Sequence, residues 1–144
     1  MRVVVDTNTL ASGSLGKSES PVTAVVDAWR AGTFVLVVSP DILDELSRTL
    51  AKPYFTEHLT PGDIIAFFDL LHTIAEVVTV AGALVGIATH PEDDRILEAA
   101  TTARADYLVT GDKKLQDLTE YQGVTIVSAR QFVTLLEGKG GEHA

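Results

Sequence analysis

Two short apolar runs each end in an aspartate: Val3-Val4-Val5-Asp6, and Leu108-Val109-Thr110-Gly111-Asp112. Such runs read as buried strands, and in an open parallel sheet ligands sit beyond the carboxyl ends of the strands, so both aspartates are expected at one edge. A lone aspartate after a strand is also ordinary turn or cap chemistry, and Gly111-Asp112-Lys113 taken alone supports either reading. Two further acidic residues come from helices. At ~100° per residue, the helix after Pro40 faces the core with Ile42, Leu46, Thr49 and Leu50, and Glu45 falls on the edge of that arc while Asp41 and Asp44 fall outside it. Standing alone, Glu45 reads as a surface glutamate with its stem along the core. In the helix after Pro91, the inner arc is set by Ile96, Leu97, Ala100 and Ala103. Asp93 falls within it; Asp94, Arg95 and Glu98 do not. Asp93 reads equally as a cap whose oxygen serves backbone N–H groups, which leaves Asp94 as the alternative ligand.

Four carboxylates at one edge are costly without a counter-charge: two of them ~4 Å apart repel by about 4 kcal/mol at an effective dielectric near 20. A hard divalent cation removes that cost. Mg2+ and Mn2+ prefer carboxylate and water oxygens, and a water kept on the ion can lose a proton and become a nucleophile. Phosphodiester hydrolysis fits this donor set, with one ion or with two ~3.5–4 Å apart.

The elements that must position these residues follow from local signals. Arg2 to Asp6 reads as a strand. Ser20-Pro21, Ser39-Pro40 and Thr60-Pro61 each pair a capping side chain with proline at the first helical position, and so start three helices. These are expected to end near Gly32, near Pro53 and after Ile74. Phe34 to Val38 is a second strand and Val77 to Val80 a short one. Residues 81–89 carry no readable pattern. Pro91 opens a helix to about Ala105, Tyr107 to Thr110 is a strand, Leu115 to Leu118 a short helix, and Val124 to Val127 a strand. Ser128 then caps a last helix to about Glu137. Alternating strands and helices, with strands apolar throughout, imply a three-layer αβα domain around a central, mainly parallel sheet. One domain is expected over residues 1–137, with a flexible tail at 138–144.

Composition narrows the function. No cysteine is present, which excludes disulfides and thiolate metal sites, and 46% hydrophobic residues suffice for one core. No apolar stretch reaches the roughly 18 residues of a membrane span, and the opening run is too short for a signal-peptide core, so a soluble, cytoplasmic protein is expected. The net charge of −9 argues against a passive basic surface for nucleic acid, yet it suits an enzyme whose acids gather around cations.

The set Asp6-Thr7-Asn8 after the first strand, Glu45 in a helix, Asp93-Asp94 opening another, and Thr110-Gly111-Asp112 after a later strand resembles the PIN-domain family. Pro91 to Ala100 followed by Ala105 to Asp112 is similar to the branch that forms the toxin component of VapBC-type toxin–antitoxin pairs. The resemblance runs from Val3 to about Leu136. It implies an endoribonuclease dependent on Mg2+ or Mn2+, an RNA substrate, a cognate antitoxin as partner and a homodimer. Asp6, Glu45, Asp93 and Asp112 match the family's acidic quartet, which holds the metal, and Asn8 and Thr110 match its supporting polar positions. Lys113 and Lys114 stand where relatives often carry a further acidic or polar residue, which implies a weak second metal site.

Lys17, Lys113 and Lys114 are expected in loops at the same sheet edge, as contacts for RNA phosphates, with ordinary solvated lysines as the plain alternative. His58, His72, His90 and His143 show no metal-ligand spacing and receive no role. Trp29 and Tyr107 read as packing residues. A haloacid-dehalogenase-type phosphotransferase would need an aspartate at position 8, where Asn8 stands, and a response-regulator receiver needs paired acids beside Asp6. The remaining rival is a PIN fold that binds RNA or protein without cleaving.

Overall fold

Three consecutive side chains of a strand are all buried only when both faces of its sheet are covered. Val3, Val4 and Val5 in β1 (Arg2–Val5) and Leu36, Val37 and Val38 in β2 (Val35–Val38) meet that condition. The structure is a computed structural model that describes residues 1–17 and 19–142, with side chains as far as residue 138. Between β1 and β2 lie α1 (Thr7–Ser14) and α2 (Pro21–Arg30); then come α3 (Pro40–Leu50), α4 (Pro53–Thr56), α5 (Pro61–Ile74) and β3 (Glu76–Val77). An irregular stretch leads to α6 (Pro91–Thr102), β4 (Tyr107–Val109), α7 (Lys113–Leu118), β5 (Glu120–Tyr121), β6 (Val124–Val127) and α8 (Ala129–Glu142).

The sheet order is β3-β2-β1-β4-β6-β5, parallel except for β5, which runs antiparallel to β6. Helices flank the sheet in a three-layer α/β arrangement. From β1 the chain first builds outward on one side, through β2 and β3, and later on the other, through β4 and β6. The carboxyl ends of β1 and β4 are therefore neighbours at a topological switch point, where open α/β sheets bind their ligands. Register makes this concrete: Val5 pairs with Val109, so the residues just after them emerge together.

Each Ser-Pro or Thr-Pro signal starts a helix. Ser39 accepts from the N–H of Ile42, and Thr60 forms a full capping box with Asp63, whereas Ser20 occupies its cap position without a side-chain bond. The last helix follows a reciprocal cap between Ser128 and Gln131. Trp29 packs edge-on against Phe67, and Tyr107 and Phe34 against Phe132, as packing residues.

Several expectations need correcting. α1 was not anticipated. Pro53 does not merely stop α3 but opens α4. The short strand sits at Glu76–Val77 rather than residues 77–80, and α6 ends at Thr102 rather than near Ala105. α7 starts at Lys113, so Lys113 and Lys114 are helical. α8 continues past Glu137 to Glu142, through part of the segment expected to be a loose tail; the end of that segment lies outside the described residues. Among the described residues no helix is long and apolar enough to cross a membrane.

α2 lies tight against α1 at Gly13, where an added Cβ would collide with the Val22 carbonyl and the Val26 side chain. Gly13→Ala is therefore expected to destabilise the fold by about 1–3 kcal/mol through overpacking, although alanine is the better helix former. Gly62→Ala in α5, where the new methyl would lie 3.7 Å from the Thr60 hydroxyl, an ordinary contact, should cost nothing. Urea denaturation of both variants tests the contrast; equal midpoints would mean that the two helices have room to part.

Candidate active site

Asp6 leaves β1 and immediately caps α1, its Oδ1 accepting the Thr9 N–H at 2.7 Å. Its Oδ2 accepts the Gly111 N–H at 2.9 Å, while its own N–H donates to the Val109 carbonyl at 2.9 Å. The carboxylate is thus buried and clasped between the ends of β1 and β4. Around it opens a cleft of about 540 Å³, whose walls include Asp6, Asn8, Ser12, Thr89, His90, Asp93, Asp112 and Lys113. Three of the four predicted acids, Asp6, Asp93 and Asp112, line it together.

Asp93 lies in the first turn of α6, half-buried, and no hydrogen bond to its carboxylate is present among the described residues. Burial first, then the like charges of Asp6, Asp112, Glu45 and Glu92, push its pKa up to about 6. Glu45 reaches the same region from α3. Its Oε2 accepts the Thr7 hydroxyl at 3.3 Å, and its pKa is also raised, mainly by burial, with Glu92 and Asp6 adding to it and Thr7 and Arg48 opposing. Asp112 behaves in the opposite way. Burial works to raise it, but the hydroxyl and N–H of Thr89, with the N–H groups of Lys114 and Leu115, outweigh that and hold it below the usual value.

Thr110 is buried and works on the turn: its hydroxyl accepts the Asp112 N–H at 3.0 Å and its carbonyl accepts Gln116 Nε2 at 2.6 Å. Asn8 is exposed on the cleft wall.

Asp94 is not on the cleft wall. It is buried on a different side of α6, where Oδ1 accepts the N–H groups of Ile87 and Ala88 and Oδ2 that of Gly86. The expectation that Asp94, Arg95 and Glu98 face outward fails for the same reason. α6 packs on the sheet along one arc and holds the preceding loop with a second, so Glu98 too is buried, accepting from Gly82 and Leu84. Those backbone donors, outweighing burial, keep Glu98 ionised at lower pH than usual.

The lysines separate. Lys113 lines the cleft, and Lys114 Nζ lies 3.5 Å from the Gly86 carbonyl. Lys17 follows the far end of α1 and donates to the Tyr54 hydroxyl at 2.9 Å, away from the cleft walls. Thr89 and His90, neither anticipated, stand on the cleft because they enter α6 just before Asp93; that adjacency was the available signal.

The donors are carboxylate and hydroxyl oxygens, which suit a hard divalent cation. As they stand, no three acidic or histidine side chains among the described residues meet closely enough to hold an ion. Asp6 and Asp112 are already hydrogen-bonded, and the Asp6 carboxylate, with one donor on each oxygen, keeps acceptor capacity for an ion. The half-buried, undonated and repelled carboxylate of Asp93 is what a cation would relieve, and on that ground the set fits one.

Fold and cleft together define an αβα domain with an acidic, oxygen-lined site at its switch point. Residues 2–114 match the family model described as PIN domain, and the chain belongs to the PIN-domain family. The fold is shared with the crystal structure of VapBC2 from Rickettsia felis bound to a DNA fragment from their promoter. That match has a TM-score of 0.54 at 14% identity, covering 88% of this chain and 97% of the other. No curated protein matches the sequence.

Without a divalent cation, Asp93 binds its proton more tightly folded (pKa about 6) than unfolded (3.8). Its contribution to stability is therefore present below pH 3.8 and is lost as pH rises through about 6. Asp93→Asn removes the repelled charge and should stabilise the protein in EDTA at pH 7 by about 1 kcal/mol, after discounting for solvent screening of its open side. The gain should shrink by pH 4. Urea midpoints at the two pH values check this; a variant less stable than the parent at pH 7 would show that Asp93 is not under electrostatic strain.

Proposed function

We propose that the chain is an endoribonuclease dependent on Mg2+ or Mn2+, with Asp6, Glu45, Asp93 and Asp112 holding the metal. The observation that carries this reading is the Asp93 carboxylate, half-buried in a cleft with Asp6 and Asp112 and without a donor among the described residues. When bound, a divalent cation supplies Lewis acidity toward a phosphate oxygen and a water of lowered pKa. The chain's residues supply the rest. Asp6 and Asp112 enter the cleft pre-set by backbone donors, and Asp93 is free to turn onto an ion. Asn8 and Lys113, exposed on the rim, are placed to meet an RNA backbone, with Lys114 beside them; Lys17 would bear on RNA only at a distance from the cleft.

The same reading makes the chain the toxin of a toxin–antitoxin pair, cytoplasmic, with a cognate antitoxin as partner and a second copy of itself as dimer mate. Its support is the family and the shared fold with VapBC2. A second reading, a PIN domain that binds RNA or protein without cleaving, draws on the spacing of the acids, which do not converge in threes among the described residues.

Incubation with structured and single-stranded RNA in Mn2+, Mg2+ or EDTA separates the two. Asp93→Asn is the informative variant, because Asp6→Asn would also set an amide NH2 against the Thr9 or the Gly111 N–H and disturb the joint between the strand ends. The expected result is cleavage with either ion, none in EDTA, and a loss of roughly a hundredfold or more in the variant, since a metal contributes several kcal/mol and 1.36 kcal/mol is tenfold. Cleavage indifferent to EDTA would remove the metal from the mechanism. RNA binding without cleavage by folded, metal-supplied protein would favour the binding module.

A further inference from the structure

The stretch from residue 78 to residue 90 has neither helix nor strand, yet it is held at many points. Asp94 takes the N–H groups of Gly86, Ile87 and Ala88 at 2.9, 3.0 and 2.7 Å. One turn on, Glu98 takes those of Gly82 and Leu84 at 2.9 and 3.2 Å. Arg95 donates to the Leu84 carbonyl at 2.8 Å and sits 3.7 Å from Glu98. Three successive charged positions of α6 thus fix the backbone path of the loop. The next loop residue, Thr89, sends its donors elsewhere: its N–H to Asp112 Oδ2 at 3.1 Å, and its hydroxyl to Asp112 Oδ1.

An aspartate's terminal torsion is broad, so a carboxylate on a cleft wall rotates unless donors hold it. Thr89 addresses both oxygens, its hydroxyl one and its N–H the other, while the N–H groups of Lys114 and Leu115 bear on the same carboxylate from the start of α7. We propose that Thr89 is a positioning residue for Asp112. By donating to both carboxylate oxygens from a loop that Asp94 and Glu98 hold in place, it orients Asp112 to meet a divalent cation. Groups that orient a ligand in this way typically carry ten- to a hundredfold in metal affinity. The proposal rests on the cation reading of the cleft. It also gives Asp94 a part in the site at one remove, through the loop.

The test is direct Mn2+ binding to the RNA-free full chain, followed by electron paramagnetic resonance of the free ion, for the parent, Thr89→Val, Thr89→Ser and Asp112→Asn. Thermal unfolding in EDTA runs alongside, and Thr89→Ala replaces the valine variant should that one not fold. Thr89→Val is expected to bind Mn2+ ten- to a hundredfold more weakly at unchanged thermal midpoint, with Thr89→Ser restoring most of the loss. Equal or tighter binding by Thr89→Val would overturn the proposal, the tighter case meaning that Thr89 competes with the ion for Asp112. If Asp112→Asn binds as well as the parent, the ion sits elsewhere and the proposal fails while a metal site stands. If the parent binds no Mn2+, the cation reading itself falls and takes the proposal with it.

Discussion

A buried carboxylate that joins two strand ends sets the geometry of this site. Asp6 is almost wholly removed from water, and an ionised group in that position is tolerated only when hydrogen bonds replace its hydration. The replacements are the Thr9 N–H, which starts α1, and the Gly111 N–H, which follows β4. The same bonds that satisfy the charge therefore fix where the chain turns after β1 and how closely the turn after β4 approaches. The cleft exists because those two turns diverge from a shared carboxylate at the point where the sheet's winding reverses.

The acids of the domain then sort by what donates to them. Asp6, Asp94, Glu98 and Asp112 each accept backbone N–H groups and act as joints: strand to strand, helix to loop, loop to turn. Asp93 accepts none among the described residues and bears the repulsion of its neighbours. Asp93 and Asp94 are adjacent in sequence and identical in chemistry, yet about 100° apart around α6. One points to backbone donors and the other into the cleft. A carboxylate without donors among other carboxylates is the poorest arrangement for the apo fold, and it concentrates the unsatisfied charge of the site in one side chain.

The strands and most helices were legible because their signals are local. Runs such as Val3 to Val5 and Leu36 to Val38 demand cover on both faces, and Ser39-Pro40 and Thr60-Pro61 supply a cap and a preset φ within two residues. The delivery of Asp6 and Asp112 to one edge followed from the parallel sheet alone. What was not legible depended on contacts across the chain. α1 begins at a cap that doubles as the joint to Gly111, 105 residues away. Glu98 and Asp94 read as outward because the apolar spacing of α6 defines a single arc; the second arc exists only because an unpatterned loop folds onto it. Thr89 was invisible for the same reason, since nothing in residues 81–89 marks where Asp112 lies. Lys17 seemed to share an edge with Lys113 until α1 intervened and carried it to Tyr54.

With a net charge of −9 and an acidic cleft, the chain repels a polyanion both at long range and locally. Lys113 on the cleft wall cannot offset Asp6, Asp93 and Asp112. If RNA enters, a cation must reverse the local field, and the two binding events are then coupled. Coupling is reciprocal: whatever factor the ion adds to RNA affinity, RNA adds to the affinity for the ion. Were an ion held there, a proton would compete with it for Asp93, whose pKa is pushed up to about 6. Phosphate oxygens beside a bound ion would offset that competition by adding hard donors of their own. On these terms the acidity of the cleft is compatible with the proposed nuclease reading, in which substrate and ion would bind together.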